Sequence, residues 1–482
     1  MAMNSKAFSF PSATRSSAAL ACVCTLLLSG CDNSSLNEDE TTFHLRGINL
    51  VEDSPTLNID LDDTTIGSIG YGSVTSFSAG HPGRHDLSFA AILPADLDDD
   101  DDDDETSTPV SGSTSYTFLT GTDYTVIAYG RLADIRTFVV EGFEQRGDVD
   151  DDKLVLQFTH ASPDAPPLDV YITSVQAGIA ARQHVDTLAL AESSSPVELS
   201  LIRDEDDLDD DATLTADVVI ELVDAATSAT VYRSDAITFT EQTRILLAIA
   251  NNNGPGPATL KLVSASGGEQ RDRLEGSALK FVHGSHDTPA LDVTVGSGLA
   301  DPLARNVSFR QSSDYVNIDD GENGMIAVPA GLASPYVFFE EFTAARAQYY
   351  TAYALGPAAV VDAVVFSADA RSVPTQTSFR FLHGAGSLEE AALDLYLRLP
   401  GATIDFDDDD TAADIAALGY QSASSYITLV QGDYEVYFAD AGTSTIVMGP
   451  ASFHVSHGDI TTLLLLDDEN GNLELLPVSD AR

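Results

Sequence analysis

Positive charge is scarce in this chain. Its 482 residues include 23 lysines and arginines against 76 aspartates and glutamates, so the formal net charge is −53 at pH 7. A field of this sign repels the phosphates of nucleic acid, and we therefore exclude nucleic acid as a partner. A surface this acidic resembles that of proteins from halophilic bacteria, whose carboxylates keep it hydrated in concentrated salt.

Cysteine and long apolar runs are also rare. All three cysteines lie within the first 31 residues. If those residues are cleaved or modified, no thiol remains to form a disulfide or a cysteine metal site. The fold must then be held by apolar cores, which is feasible because 43% of the residues are hydrophobic. After residue 31 no segment is long and apolar enough to cross a bilayer.

The start of the chain has the features of a secretory leader. Lys6 and Arg15 precede an apolar stretch at residues 18–28, which is too short to span a membrane. The stretch runs into Leu28-Ser-Gly-Cys31. This ending resembles the lipobox of bacterial lipoproteins, in which the cysteine is acylated.

The lipobox resemblance implies an anchor. We expect a signal peptide at residues 1–30, a tether at 31–42 and lipidation of Cys31, since two or three acyl chains bind a membrane firmly. The body would then lie outside the cytoplasm, attached to a bacterial membrane. Asp32 resembles an inner-membrane retention signal, which would place the protein on the periplasmic face; otherwise the anchor would lie in the outer membrane or at the cell surface.

The rest of the chain repeats one phrase. Residues 160–171 read His-Ala-Ser-Pro-Asp-Ala-Pro-Pro-Leu-Asp-Val-Tyr after an apolar stretch. Related phrases begin at His283 and His383, and a degenerate copy begins at Asn49. Self-similarity at a domain-sized interval indicates a tandem-repeat protein.

Within each repeat the pattern is that of β-strands. Leu154, Leu156 and Phe158 are apolar at every second position, which predicts a half-buried strand. The Pro-rich phrase that follows predicts a loop at the end of a sheet, because proline cannot donate to a β-ladder. About seven short strands per copy predict an all-β chain of tandem antiparallel β-sandwiches, immunoglobulin-like or transthyretin-like.

Shifts in composition set the domain boundaries. The linkers between the sandwiches are short, so we expect a rod or a bent string of sandwiches rather than one globule. The predicted sandwiches are a divergent first repeat at 43–146, a second at 153–263, a third at 278–370 and a fourth at 378–479.

The phrase at residues 160–171, with a Ser-x-Tyr strand and a Tyr-Thr-Val hairpin further along, resembles the domain of unknown function numbered 4397. The resemblance is specific in the second copy and good in the third and fourth. It is weak in the first, where Asn49 and Asn58 replace the histidine and an aspartate. It implies a repeat of secreted and envelope proteins and brings no established activity.

The first candidate site is the histidine that opens each phrase. Its copies are His160, His283 and His383. By alternation it lies on the apolar face, where a buried imidazole would hydrogen-bond the following loop, through Asp164 or Asp287. Ligand contact and catalysis stay open, since His160, Ser162 and Asp164 include the residue types of a hydrolase triad. A second repeated carboxylate recurs as Asp169, Asp292 and Asp394.

The acidic runs are candidate calcium sites, and no other cofactor is expected. Hard cations take carboxylate oxygens in flexible loops. No run has the alternating spacing of an EF-hand, and diffuse condensation of cations on solvated loops is the competing interpretation. The calcium candidates are Asp204, Asp206, Asp209, Asp408 and Asp410.

These features favour a non-enzymatic, lipid-anchored envelope protein whose tandem sandwiches present a binding or adhesion surface to a polysaccharide or a protein. One alternative is a polysaccharide-active envelope hydrolase, which would need a deep pocket with converging carboxylates in a single copy. Another is a structural spacer whose acidic loops respond to calcium or salt.

Overall fold

Strands and turns make up nearly all of the structure, a computed structural model. It describes residues 42–94, 107–142, 149–150, 152–176, 179–201, 213–296, 301–404, 406 and 412–482. Within these residues the only helix is a single 3₁₀ turn, Gly386–Leu388, and no helix has the length and apolar character needed to span a membrane. The predicted signal peptide and Cys31 lie outside the described residues.

The first sandwich runs from Phe43 to Glu141. Its strands are β1 (Phe43–Val51), β2 (Leu57–Leu61), β3 (Thr64–Ile69), β4 (Ser78–Gly80), β5 (Gly83–Ile92), β6 (Ser107–Pro109), β7 (Thr114–Phe118), β8 (Asp123–Arg131) and β9 (Asp134–Glu141). One sheet has the order β4-β1-β8-β9, and the other has β3-β2-β5-β6 with β7 also paired to β5. Phe43 from the first sheet and Phe89 from the second meet in the core.

The second sandwich begins at Lys153. Its strands are β10 (Lys153–His160), β11 (Leu168–Gln176), β12 (Ile179–Leu188), β13 (Val197–Ser200), β14 (Thr215–Asp224), β15 (Thr230–Arg233), β16 (Ile237–Thr240), β17 (Thr243–Asn251), β18 (Leu260–Ser264) and β19 (Glu269–Gln270). The sheets are β13-β10-β17-β18-β19 and β12-β11-β14-β15, with β16 paired to β14. Phe158 and Ile220 contribute to the core from opposite sheets.

The third sandwich begins at Ser277. Its strands are β20 (Ser277–His283), β21 (Leu291–Gly296), β22 (Asp301–Val307), β23 (Val316–Ile318), β24 (Gly321–Pro329), β25 (Phe338–Ala344), β26 (Tyr349–Leu355) and β27 (Asp362–Ala368). The sheets are β23-β20-β26-β27 and β22-β21-β24-β25. In β21 the core takes Leu291, Val293 and Val295, so period two holds there.

The fourth sandwich begins at Thr377. Its strands are β28 (Thr377–His383), β29 (Leu393–Arg398), β30 (Ile415–Leu418), β31 (Ser422–Ala423), β32 (Ile427–Leu429), β33 (Gly432–Asp440), β34 (Ile446–Val455), β35 (Ile460–Asp467) and β36 (Leu473–Ser479). The sheets are β31-β28-β35-β36, with β32 paired to β28, and β30-β29-β33-β34. The prediction of an all-β chain of β-sandwiches is confirmed.

The sheets are mixed rather than purely antiparallel, which corrects one part of that prediction. In every sandwich the first strand lies parallel to a strand from late in the repeat: β1 to β8, β10 to β17, β20 to β26 and β28 to β35. The late strand then forms an antiparallel hairpin, as β8 does with β9. The cause is the path of the chain, which leaves the first sheet through the signature phrase, builds the second sheet, and returns beside its own start.

The sandwiches also pack on one another, so the expected rod or bent string of sandwiches is wrong. The first and second repeats share an apolar cluster that includes Ile48 and Leu246. The third and fourth share another that includes Val282 and Leu464. The described residues form one compact unit, and both faces of β20 are buried where alternation predicted one.

Candidate functional site

The repeated histidine closes the loop that follows it. His160 has no exposed surface, its ring Nε2 lies 3.1 Å from the backbone carbonyl of Pro166, and its Nδ1 accepts the N–H of Ser162 at 3.3 Å. His283 makes the same two contacts at the same distances. Burial lowers the pKa of both histidines. The neutral ring, donating from Nε2 and accepting at Nδ1, therefore fits this position.

Asn49 fills the same position in the first repeat. Its Oδ1 accepts the N–H of Val51 at 3.0 Å, two residues on, as Nδ1 of a histidine does in the later repeats. Its Nδ2 donates to Ser54 Oγ at 3.0 Å and to the carbonyl of Ile69 at 3.2 Å. An amide and an imidazole thus satisfy the same buried backbone group.

His383 is equally buried but holds its loop less tightly. Among the described residues neither ring nitrogen has a partner in hydrogen-bonding geometry. Burial lowers the pKa of His383, as it does for the other two histidines. The ring packs edge-on against Tyr420, with 5.7 Å between centroids. The prolines that shape the second and third loops are missing here, and the 3₁₀ turn Gly386–Leu388 takes their place.

The predicted carboxylate partners of the histidines are wrong. Asp164 is 68% exposed and accepts a hydrogen bond from Asn251 Nδ2 at 2.7 Å, and Asp287 accepts a backbone N–H at 2.8 Å. The Ser162 hydroxyl bonds the side chain of Asn251 and not His160. A nucleophile, a base and an orienting acid must be hydrogen-bonded in sequence, so this triad is not assembled.

The second repeated carboxylate fixes neighbouring turns. Asp292 accepts the N–H of Gly331 at 2.9 Å and that of Asn306 at 2.7 Å, and both donors have left-handed backbone, with φ of 76° and 50°. These hydrogen bonds lower the pKa of Asp292. Asp394 binds an equivalent pair of N–H groups in the fourth repeat. Asp169 instead accepts a threonine hydroxyl of the neighbouring strand at 2.5 Å.

The structural role of the histidine gives a graded prediction. Replacing His283 with alanine leaves the Ser285 N–H and the Pro289 carbonyl unpaired in a buried site, so we expect a loss of about 1–3 kcal/mol in the free energy of unfolding. Replacing it with asparagine should cost less, because Asn49 makes the equivalent bond. Urea denaturation measures both. The exposed His454 serves as a control, and equal effects of alanine at His283 and His454 would contradict the assignment.

Signature loops of neighbouring repeats meet around two clefts. The first, of about 430 Å³, is lined by Glu52 and Arg131 of the first repeat and Asp164 of the second. Nη1 of Arg131 lies 3.1 Å from Glu52, and its Nη2 lies 3.7 Å from Asp164. The second cleft, of about 260 Å³, includes His286 of the third repeat and Asp467 of the fourth. Each cleft is therefore shared by two repeats.

A comparison with known families decides what these repeats are. The model of a domain of unknown function, DUF4397, matches residues 43–171, 277–396 and 391–482, which together exceed half of the chain. The chain belongs to the DUF4397 family. The resemblance drawn from the signature is thereby confirmed for the chain, but the match covers the first sandwich, where the resemblance was weak, and leaves out most of the second, where it was specific. No curated protein matches the chain.

Solved structures give only weak likeness to the DUF4397 repeats. The Bacillus anthracis TIE protein has a TM-score of 0.16 at 9% identity, over 89% of this chain and 69% of its own. A leucine-rich repeat protein from Bacteroides thetaiotaomicron has 0.16 at 12%, over 42% and 26%. The Streptococcal ancillary pilin has 0.14 at 10%, over 66% and 99%. At these TM-scores the likeness carries no argument about function.

A third cavity, of about 620 Å³, lies where the four sandwiches meet, and we call it the junction cavity. The first three repeats contribute Tyr71, Lys261 and Tyr349 to its lining, the last linker contributes Arg371, and the fourth repeat contributes Arg380. Sequence reasoning missed this cavity because its residues are far apart in the chain. One signal was visible: Arg380 is a basic residue between two phenylalanines, three positions before the signature histidine.

A buried carboxylate, Asp480, lies beside the junction cavity between the third and fourth repeats. It contacts two buried cations, with Oδ1 3.3 Å from Lys280 Nζ and Oδ2 3.9 Å from Arg380 Nη2. Its Oδ2 also accepts the hydroxyls of Tyr426 at 2.9 Å and Thr462 at 2.5 Å. Lys280 and Arg380 occupy equivalent positions in their repeats, so one acid joins both DUF4397 sandwiches.

The predicted calcium ligands cannot be placed in this fold. Asp204, Asp206, Asp209, Asp408 and Asp410 lie outside the described residues. Within the part that the structure describes, no group of three His, Cys, Asp or Glu side chains is arranged to hold a metal ion. Calcium binding by the acidic runs stays a prediction.

Proposed function

We propose that this chain is a non-enzymatic, lipid-anchored envelope protein whose DUF4397 sandwiches present a binding surface where repeats meet. The observation that carries the proposal is the shared lining of the clefts: Glu52 and Asp164 belong to different repeats, and so do His286 and Asp467. A surface of this kind depends on two repeats packed together. Its partner would be a polysaccharide or a protein of the envelope or its surroundings.

The buried histidines support the non-enzymatic part of the proposal. A catalytic acid or base must come within hydrogen-bond reach of its substrate. His160 and His283 are fully buried and direct their ring nitrogens to the backbone of their own loops. The repeated signature is thereby accounted for by packing, and recognition is left to the loop surfaces around the clefts.

A polysaccharide hydrolase is the second candidate, because glycosidases act with two carboxylates and Glu52 and Asp164 line one cleft. Arg131 lies against both carboxylates, and Arg482 makes a further ion pair to Glu52 at 3.0 Å. Neither group is therefore placed as a free proton donor. This pairing favours binding over hydrolysis.

A polysaccharide array tests the two candidates. The full chain in detergent would be applied to acidic and neutral polysaccharides, beside Asp164→Asn and the control Asp217→Asn, the same change at an exposed position of β14 in the same repeat. We expect Asp164→Asn alone to weaken binding. Equal binding by both variants would place recognition elsewhere, and newly formed reducing ends would favour the hydrolase.

The lipid anchor has its own prediction. Replacing Cys31 with serine removes the thiol that the lipobox resemblance assigns to acylation, so we expect the protein to lose palmitate labelling and leave the membrane fraction. Cys24→Ser is the matched control, because that cysteine belongs to the predicted leader. Membrane association that survives in Cys31→Ser would contradict the anchor.

A further inference from the structure

The lining of the junction cavity is rich in basic residues, whereas the chain as a whole is acidic. Four basic side chains line it, against two carboxylates, Glu269 and Asp369; in the whole chain there are 23 basic and 76 acidic residues. The basic residues are Lys261, Arg271, Arg371 and Arg380. The lining is thus locally positive on a strongly negative molecule.

Two of these cations are incompletely neutralised. The guanidinium of Arg371 donates to backbone carbonyls, at 2.7 Å to Ser54 and 3.4 Å to Glu52, and no carboxylate of the described residues lies within 4 Å of it. Arg380 is 5% exposed, and its Nη2 has no hydrogen-bond partner among the described residues. The nearest acid to Arg380 is Asp480 at 3.9 Å, which Lys280 already shares.

The other two cations are more fully paired. Lys261 is 1% exposed and bonds Glu269 at 2.5 Å, while Arg271 bonds both Glu269 and Glu275. Their charges are largely balanced by acids of the second repeat and its following linker. The uncompensated charge of the cavity therefore lies on the side of Arg371 and Arg380.

Aromatic rings and hydroxyls complete the lining. Tyr71 lies under both Lys261 and Arg371, with the cations 4.3 Å and 5.3 Å from its ring centroid, and Tyr426 lies 4.7 Å from the Arg380 guanidinium. Apolar ring faces beside a few convergent polar groups, in a space of this volume, are typical of small-ligand sites. The planar guanidinium group of arginine binds carboxylates in particular, because two of its N–H groups can donate in parallel to the two carboxylate oxygens.

We infer that the junction cavity binds a sugar unit that carries a carboxylate, within an acidic polysaccharide. Arg371 and Arg380 take the carboxylate, and the tyrosines and Ser425 contact the ring and its hydroxyls. The inference rests on the proposed binding function and names the ligand class for it. Because all four repeats line the cavity, binding would hold the packed array together.

Calorimetry with defined oligosaccharides tests the inference. The full chain in detergent would be titrated with tetragalacturonate and with its neutral methyl ester. We expect the acid to bind and the ester to bind at least about tenfold more weakly, since a hydrogen bond to a charged group contributes on that scale. Equal affinity for the two, or no binding of either, would overturn the inference.

Three variants locate the site. Arg371→Gln should weaken tetragalacturonate binding about tenfold or more. Ser425→Asp, which adds a negative charge at an exposed position of the lining without removing any packing, should weaken it too, and it keeps the test valid if Arg371→Gln fails to fold. Arg182→Gln, at an exposed arginine that also lies over a tyrosine, should have no effect.

The outcomes separate this inference from the proposed function. Binding that is lost in Asp164→Asn but kept in Arg371→Gln and Ser425→Asp overturns the junction cavity as the site and leaves the proposed function standing. Absence of binding to any polysaccharide, acidic or neutral, overturns the cavity site and the polysaccharide form of the proposed function. Loss in the cavity variants, with or without a loss in Asp164→Asn, supports the inference.

Discussion

Replacing Asp480 with alanine will lower the free energy of unfolding by about 3–5 kcal/mol, the usual effect of removing one partner of a buried ion pair. Asp480 has no exposed surface and lies between the cations of Lys280 and Arg380. Without it, two positive charges stay buried with no acid beside them. Urea denaturation of the full chain measures the loss in the transition that includes the third and fourth repeats.

The pH dependence identifies charge as the cause. Burial lowers the pKa of Lys280, and Asp480 opposes that shift, so the variant should lower it further. Between this lowered pKa and the unfolded value of about 10.4, the unfolded chain binds more protons. Raising the pH through that window should therefore recover part of the lost stability in Asp480→Ala.

Two further variants complete the test of Asp480. Asp480→Ala combined with Lys280→Met should be more stable than Asp480→Ala alone, because one uncompensated cation is removed. Asp433→Ala removes an exposed hydrogen bond with His454 and should change the stability by less than about 1 kcal/mol. A similar loss in Asp433→Ala and Asp480→Ala would contradict a special role for the buried acid.

The sandwich fold was predictable, but the packing between sandwiches was not. Alternation in Leu154, Leu156 and Phe158 identifies the face of β10 that meets its own core. The opposite face carries Val155, which is also buried because it belongs to the apolar cluster shared with the first repeat. When the second face of a strand carries both polar and apolar residues, the sequence predicts that this face is exposed. The sequence does not reveal which surfaces a neighbouring repeat will cover.

The candidate site was predictable only in part, because the partners of its side chains are backbone groups. The burial of His160 follows from its phase with Phe158, whereas its actual partner, the carbonyl of Pro166, is a group that every residue possesses. Side-chain composition therefore pointed to Asp164 instead. The left-handed turns held by Asp292 escaped prediction for the same reason, because the groups that it binds are backbone N–H groups.

The junction cavity could not be predicted from one sequence. Tyr71 and Arg380 both line it, yet they belong to the first and last repeats. Only the path of the whole chain brings them together. A lone basic residue on a buried strand is the local sign of such a site, because a buried cation needs acids, carbonyls or a ligand around it.

Raising sodium chloride from 0.01 M to 1 M will raise the thermal midpoint by roughly 5–10 °C, because the screening length falls from about 30 Å to about 3 Å. The reason is the excess of 76 acidic over 23 basic residues, whose mutual repulsion opposes the compact state. Buried pairs such as Lys280 with Asp480 are screened far less than surface charges. The net effect of salt is therefore stabilising, and a midpoint that falls with salt would contradict this account.

Melting in calcium chloride distinguishes ordered calcium sites from acidic surface charges that any salt would screen. At matched ionic strength we expect calcium chloride and sodium chloride to raise the midpoint equally, since the acidic runs lack the alternating ligand spacing of a calcium loop. A larger rise at millimolar calcium, reversed by a chelator, would mean that the native state binds the ion. Asp206→Asn and Asp408→Asn would then show which acidic run is responsible, and the extra rise would favour calcium-dependent adhesion over a passive halophilic surface.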